Sequence, residues 1–444
     1  MRVFILAILN GVLLYLPFSR YELWFLIFPA LLMLLANPNH RHYFLAGFTF
    51  FFISLECVNI ASIQYGGVNP FLAYALFSIF ALFLTFYQMN LPLMLWKKLS
   101  HSLWTLPLFY SLFEVIRSYL PYGGFPWLVL GEISTYIPIA KYSLRFFTVY
   151  GESLLMWYVA YFLFKRKVVP LLFLLMLVFL TGLYAKHTLL KELSSAVSIK
   201  VALVQTAIPQ EDKLTEKEFR KHTKEILSLV RSALKEKPDL VVLPESAFPF
   251  FFSDEFDKDR NEFFELSFQA PLLVGLIDIR EGLKPYNSAY LIKDGQLVGY
   301  YDKIRLLPIG EYVPFPFAFL KDVFSAIAGI DYTPGKTWKP ITYRNIRLAT
   351  PICFEVAYWD LVRKLSKEAN LIVVLTNDGW FNNSDCTHQH FTWARVRALE
   401  NAKFVLWVNN SGDTAVIDPS GKVLKKIPYM KRGILVYDIK LMDP

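Results

Sequence analysis

The sequence predicts a multi-span α-helical membrane region followed by an α/β domain, and three observations carry that expectation. Hydrophobic residues make up 55% of the 444-residue chain. They are concentrated in the first 185 or so residues, where runs of Leu, Phe, Ile and Val with few charges suit hydrocarbon spans of roughly 20 residues. From about Ser195 onward charges, Pro and Gly return at ordinary frequency, and the remaining stretch is ample for one domain with a substantial core. The expected organisation is a membrane region over 1–186, a linker over 187–197 and an α/β domain over 198–444.

Hydropathy gives seven candidate spans at about 3–18, 22–36, 43–60, 71–96, 103–120, 142–164 and 168–186, the first two short enough to form a hairpin. A cytoplasmic N-terminus places Arg2, Arg41, Lys97, Lys98, Lys165, Arg166 and Lys167 inside, as the bias of Lys and Arg toward cytoplasmic loops requires. Seven crossings then leave the second domain outside, although Arg20, Arg117, Lys141 and Arg145 fall on that side too. The loop 121–141, "PYGGFPWLVLGEISTYIPIAK", is too apolar for a plain solvent loop and too broken by Pro and Gly for a span. Either it lies in the interface, with Tyr122, Trp127 and Tyr136 at headgroup depth, or it packs between spans.

The formal charge of +9 could suggest nucleic acid, but the basic residues sit at membrane boundaries and on 213–237, interleaved with Glu. Anionic lipid headgroups are the expected counterpart. Three cysteines, Cys57, Cys353 and Cys386, are too few for a disulfide framework, so disulfides are expected to carry little of the fold. A cleavable signal peptide is not expected, since the first apolar run is followed by more spans.

In the second half extended runs alternate with helical ones. Strands are expected within 198–205, 239–245, 271–279, 287–308, 346–355, 370–378 and 403–427, with Asp-Gly and Ser-Gly turns marking hairpins. Phe219, Ile226, Leu229, Val230 and Ala233 repeat at helical spacing within 215–236, and 387–402 supplies another helix. Helices covering sheets are the sum.

Three reactive residues stand at strand ends. Glu245 follows the apolar run "LVVLP", where loss of bulk water raises a carboxyl pKa and suits it to accept a proton. Lys303 lies in "YYDKIRLLPIGEYVPF" and could stabilise a developing oxyanion, with Glu311 eight residues on as its partner. Cys353 ends "RLATPI" where a helix can start, a position that favours the thiolate. Alone, each has an ordinary structural explanation, and a lone cysteine is usually buried filler.

Together, "LPE" with Glu245, "DK" with Lys303 and "CFE" with Cys353 resemble, in order and context, the Glu-Lys-Cys triad of the nitrilase, or carbon–nitrogen hydrolase, superfamily. "LPIGEYVPF" (307–315) and "TNDGWF" (376–381) followed by "HFTWARVRALE" (390–400) resemble its membrane-embedded apolipoprotein N-acyltransferase family. The resemblance implies an αββα sandwich joined to a multi-pass region of the bacterial inner membrane, with the catalytic domain on the periplasmic or outer face. It implies Glu245 as general base, Lys303 as oxyanion stabiliser and Cys353 as nucleophile, with Glu311, Glu355, Tyr358 and Trp380 supporting them or lining the substrate. It also implies a phospholipid acyl donor, a diacylglyceryl-modified apolipoprotein as acceptor, no cofactor and a single chain acting alone. The chain departs from the family pattern in two places. Leu214 stands where a tryptophan is usual, and the segment "GILVYDIKLMDP" is not followed by the family's last membrane helix.

The apolar runs 248–256 and 312–330 follow two of the motifs and are expected either as arms dipping into the interface or as core packing. "CTHQH" (386–390) looks like a metal cluster, but Cys386, His388 and His390 cannot easily converge from one helix and lack a fourth ligand, so no metal is expected. Two rival functions remain at this point. One is a membrane-tethered amidase with water as acceptor; the other is a lipid-binding scaffold, which the intact triad disfavours.

Overall fold

The computed structural model describes residues 2–280, 282–315, 317–320 and 331–442. The chain forms two compact units. One comprises Met1–Ile63, Val68–Thr188 and Ser384–Glu400; the other comprises Gln64–Gly67, Leu189–Asn383 and Asn401–Pro444.

The first unit is helical. Among the described residues three helices are long and apolar enough to cross a membrane: Pro70–Leu99, Ala140–Phe164 and Val168–Ser194. His40–Ser54 and Cys57–Tyr65, bent by 46°, make a fourth if they count as one span. Seven spans were expected. All seven stretches contain helix, but Val3–Phe18 and Trp24–Ala36 are shorter, and Leu106–Arg117 is a 12-residue helix that buries Glu114 and Arg117. Hydropathy registers apolar composition and not where the backbone turns, so short apolar helices and spans look alike. The last helix exposes Val169, Leu172, Phe173, Met176 and Phe179, an apolar surface suited to lipid.

The linker expected at 187–197 is helical as far as Ser194, because "KHTLLKEL" continues the good helix formers of the span. The loop 121–141 packs rather than presenting all its aromatics at an interface. Trp127 is buried and its Nε1 donates to Gln389 Oε1 at 2.8 Å, while Tyr122 is exposed. Gln389 belongs to the helix Asp385–Asn401, which was expected in the catalytic domain but groups mostly with the helical unit. Residue type explains this: the helix buries Cys386, Trp393, Arg397 and Glu400, and Cys386 forms a disulfide with Cys57. One disulfide therefore contributes to the fold, and Cys386 is engaged with sulfur rather than metal.

The second unit is an αββα sandwich, with twelve strands among the described residues. The first sheet contains β1 (Val197–Gln205), β2 (Leu240–Val242), β3 (Leu272–Arg280), β4 (Lys284–Lys293) and β5 (Gln296–Asp302). The second contains β6 (Ile341–Tyr343), β7 (Ile346–Ala349), β8 (Leu371–Thr376), β9 (Val405–Asn409), β10 (Thr414–Ile417) and β11 (Val423–Ile427). The final strand, β12 (Gly433–Leu441), returns to the first sheet and pairs antiparallel with β1 along its length. The sheet orders are β12-β1-β2-β3-β4-β5 and β11-β10-β9-β8-β7-β6. In each sheet three adjacent strands run parallel, β1-β2-β3 and β7-β8-β9, so their C-terminal ends point the same way.

The amphipathic helix Glu216–Lys235 covers the first sheet with Phe219, Ile226, Leu227, Val230, Ala233 and Leu234. Acidic Glu216 and Glu218 in its first turn and Lys235 in its last complement the helix dipole. The run 248–256 divides: Phe248 and Phe250 stack at 4.7 Å in this core, whereas Phe251 and Phe256 are exposed. In the run 312–330, Phe315 is exposed and much of the remainder lies outside the described residues.

Candidate active site

The three strand-end residues meet within the sandwich unit. Glu245 leaves β2 through Leu243 and Pro244 and is 6% exposed. Gly275 of β3 crosses so near that a Cβ there would lie 2.6 Å from Glu245 Cα, so any side chain would push the carboxylate out of place. Glu245 Oε1 accepts from Asn287 Nδ2 at 2.7 Å and lies 3.8 Å from Lys303 Nζ. Burial raises the Glu245 pKa, and the Lys303 ammonium opposes that rise.

Lys303 directly follows β5. Its N–H donates to the Asn287 carbonyl at 2.9 Å, and its Nζ donates to Glu311 Oε1 at 2.8 Å. Burial alone would depress the ammonium, but Glu311, Cys353 and Glu245 outweigh it and hold the pKa above the ordinary lysine value. Glu311 is itself fixed, accepting from Leu307 N at 2.8 Å and Asn287 Nδ2 at 3.2 Å.

Cys353 follows β7 after Pro351 and Ile352, and Ile352 bridges Leu375 of β8. The residue has φ +52°, a left-handed conformation uncommon for a side-chain-bearing residue and characteristic of strained functional turns. The residue as a whole is partly exposed. The 3-10 turn Cys353–Ala357 begins here, yet the expected thiolate character does not follow. Burial first and the Glu245 carboxylate second push the thiol pKa up, against the smaller opposing effects of Lys303 and the Thr376 hydroxyl. A single short turn cannot offset desolvation, so burial favours the neutral thiol over the thiolate.

Glu355 is fully buried two residues on. Its carboxylate accepts from the backbone N–H groups of Ile304 (2.7 Å), Arg305 (2.9 Å) and Ile352 (2.9 Å), and from the Tyr301 hydroxyl. It thereby ties the segment after Lys303 to the segment before Cys353. Burial brings its pKa to about 7 despite those donors. Tyr358 is 2% exposed, with the Arg305 guanidinium 4.3 Å from its ring centroid, so it supports packing and offers little surface to a substrate. Trp380 is half-buried and meets Tyr65 edge-on at 5.8 Å. Leu214 is exposed.

Three features escaped the sequence reading. Asn287 bonds Glu245 and Glu311 through one amide nitrogen, and an asparagine inside a strand is itself an unusual signal. The pairs Asn377-Asp378 and Asn409-Asn410 lock the ends of β8 and β9 together, with Asn409 Nδ2 to Asp378 Oδ2 at 2.6 Å and Asn410 Nδ2 to Asn377 Oδ1 at 3.0 Å. Lys213 approaches the Glu245 carbonyl at 3.5 Å, and burial lowers its pKa to about 7 with Glu245 opposing. Among the described residues no group of three His, Cys, Asp or Glu side chains could hold a metal.

Two mixed sheets with a carboxylate, a lysine and a cysteine gathered at their strand ends define a carbon–nitrogen hydrolase domain, and the model of that family matches residues 200–443. A second model, the apolipoprotein N-acyltransferase N-terminal domain, matches 10–162. An apolipoprotein N-acyltransferase from Aquifex aeolicus is 43% identical over 97% of this chain and 97% of its own length. Those from Haemophilus influenzae and Geobacter metallireducens are each 29% identical, covering 98% and 99% of this chain and 88% and 90% of theirs. The chain belongs to the apolipoprotein N-acyltransferase family and is an acyltransferase.

Proposed function

We propose that this acyltransferase N-acylates the diacylglyceryl-cysteine at the N-terminus of apolipoproteins, using a phospholipid acyl donor and a thioester on Cys353. The observation that carries the reading is the half-buried Cys353 at φ +52°, electrostatically coupled to the buried Glu245 and Lys303. Glu245 takes the thiol proton as sulfur attacks the ester carbonyl, and the Lys303 ammonium stabilises the oxyanion. The C–O bond breaks, and the lysophospholipid leaves with the proton held by Glu245. The acceptor's α-amine then attacks the thioester, the C–S bond breaks, and the surplus amine proton returns through Glu245 to sulfur. An amide replaces a thioester, so the second stage runs downhill.

Glu311, Glu355 and Asn287 act as positioning residues, because their hydrogen bonds fix Lys303, Glu245 and the turn around Cys353. The raised thiol pKa suits this scheme: a buried neutral thiol is deprotonated only as the substrate arrives. Multi-pass insertion gives a lipid-anchored donor and acceptor access to one enzyme. Placement of the catalytic unit on the outer face is supported by the exposed Lys165-Arg166-Lys167 cluster next to a span and by the Cys57–Cys386 disulfide, a bond favoured in oxidising compartments.

Intact-mass measurement of the purified protein incubated with phospholipid tests the mechanism. The expected result is an acyl-sized adduct that is absent in Cys353→Ala and is discharged by a diacylglyceryl-cysteinyl peptide. No adduct, with ammonia released from simple amides, would assign the chain to amide hydrolysis instead.

A further inference from the structure

A cavity in the sandwich unit is lined by residues other than Glu245, Lys303 and Cys353. It is an open cleft of about 500 Å³ whose walls include Gln64, Tyr65, Gln210, Glu211, Ser411 and Tyr429. Two of its polar side chains are almost fully buried. Ser411 is 1% exposed, and its Oγ has no partner among the described residues. Gln210 is 4% exposed, and its Oε1 accepts from Asn377 Nδ2 at 2.9 Å. A buried polar atom left unpaired costs free energy unless a ligand or water completes it.

The cleft is built to stay open at this place. Gly379 forms part of its wall, and a Cβ there would meet Gln210 Oε1 at 2.9 Å and Ser411 Oγ at 3.2 Å. Asn382 holds the Gln64 amide at 2.6 Å and the Tyr65 hydroxyl at 2.7 Å, which fixes two side chains of the rim. Glu211 is the sole charged side chain among the lining residues, and together with burial it raises the Tyr429 pKa. The surface therefore combines amide and hydroxyl groups, two tyrosines and one negative charge.

Its position relates it to the thiol. Gly379 is three residues beyond Thr376, whose hydroxyl acts on Cys353, so the intervening chain spans at most about 11 Å. An acceptor whose α-amine reaches the thioester would carry its following residues over that distance.

We infer that this cleft binds the polypeptide of the acceptor immediately beyond its acylated cysteine, with a basic side chain placed against Glu211. The inference rests on the acyl-transfer reading above and adds the determinant of acceptor choice. Peptide groups offer both a donor and an acceptor, which matches the Gln210 amide and the Ser411 hydroxyl. A volume in the few-hundred Å³ range suits several residues. The ammonium of a phospholipid headgroup shares part of this chemistry, so donor and acceptor must be read separately.

The test uses the full chain in detergent micelles. Cys353 is first loaded from phosphatidylglycerol, which has no ammonium, and then discharged by diacylglyceryl-cysteinyl tetrapeptides carrying Lys or Glu at the second to fourth positions. The Lys peptides are expected to show a KM about tenfold below the Glu peptides, and Glu211→Gln to erase that difference with kcat little changed. Ser411→Ala is expected to raise KM for both series. Equal KM values for all peptides would overturn the assignment. So would a Glu211→Gln effect confined to thioester formation from phosphatidylethanolamine, which would give the cleft to the donor headgroup. Failure of the parent protein to form a thioester from either lipid would instead overturn the acyl-transfer reading itself.

Discussion

In the helical unit, buried Arg117 donates to Gln88 Oε1 at 2.9 Å and to the carbonyls of Phe125 and Trp127 at 2.9 and 2.8 Å, while buried Glu400 accepts the Val149 N–H at 2.8 Å. In the sandwich unit, buried Lys303 donates to Glu311 and pairs with Glu245, and Asn287 donates to both carboxylates, beside the partly exposed Cys353. The first arrangement uses charge to satisfy irregular backbone where water is excluded. The second concentrates charge of both signs on one accessible atom, a costly arrangement that pays off only if something reacts there. Removing a charge should therefore damage folding in the first unit and rate in the second.

The largest expected effect is on the sulfur. Cys353→Ala should abolish the acyl adduct and lower turnover by about 10⁴-fold or more, with little change in thermal midpoint. Loss of folding in this variant would blur the contrast. Arg117→Met should do the opposite. It removes the donors to Gln88 Oε1 and to the carbonyls of Phe125 and Trp127, so the detergent-solubilised protein should lose roughly 3–5 kcal/mol of stability, read as a lowered midpoint. Its folded fraction should still form thioester at the parent rate. Lys303→Met should slow thioester formation by about 10²–10³-fold, the usual effect of removing an oxyanion donor, and stopped-flow or quenched intact mass would read it.

Legibility differed between the same two regions. Glu245, Lys303 and Cys353 stand at the ends of apolar strands in an order that resembles the nitrilase triad, and Glu311 and Glu355 lie within ten residues of Lys303 and Cys353, so short motifs and that resemblance carried them. Asn287 and the Asn409-Asn410 pair were missed because their roles arise only when strands distant in sequence become neighbours. The sandwich strands followed from Val, Ile and Leu runs bounded by turns, but the edge strands β6 and β12 did not, being short or interrupted by charge. The helix Asp385–Asn401 was visible as a helix. Its membership of the helical unit was not, since that depends on what Trp393, Arg397 and the Cys386 disulfide meet in space. Periodicity reports an element's type far better than its partners.

The smallest effect tests the electrostatics within the site. Burial raises the Glu245 pKa and Lys303 lowers it, so the two act in opposite directions on one carboxyl. A general base works only when deprotonated, so thioester formation should fall as pH drops through the Glu245 pKa, with an acid limb above the ordinary carboxylate range. In Lys303→Met the largest opposing effect is gone, and burial and the Glu311 carboxylate meet only the weaker Asn287 hydrogen bond and Lys213 charge. The residual activity should therefore show its acid limb displaced further upward. Pre-steady-state rates of adduct formation across pH, fitted for parent and variant, measure the displacement. A limb that stays fixed would mean that Lys303 and Glu245 do not share a field, and a downward shift would mean that Lys303 had not been stabilising the carboxylate.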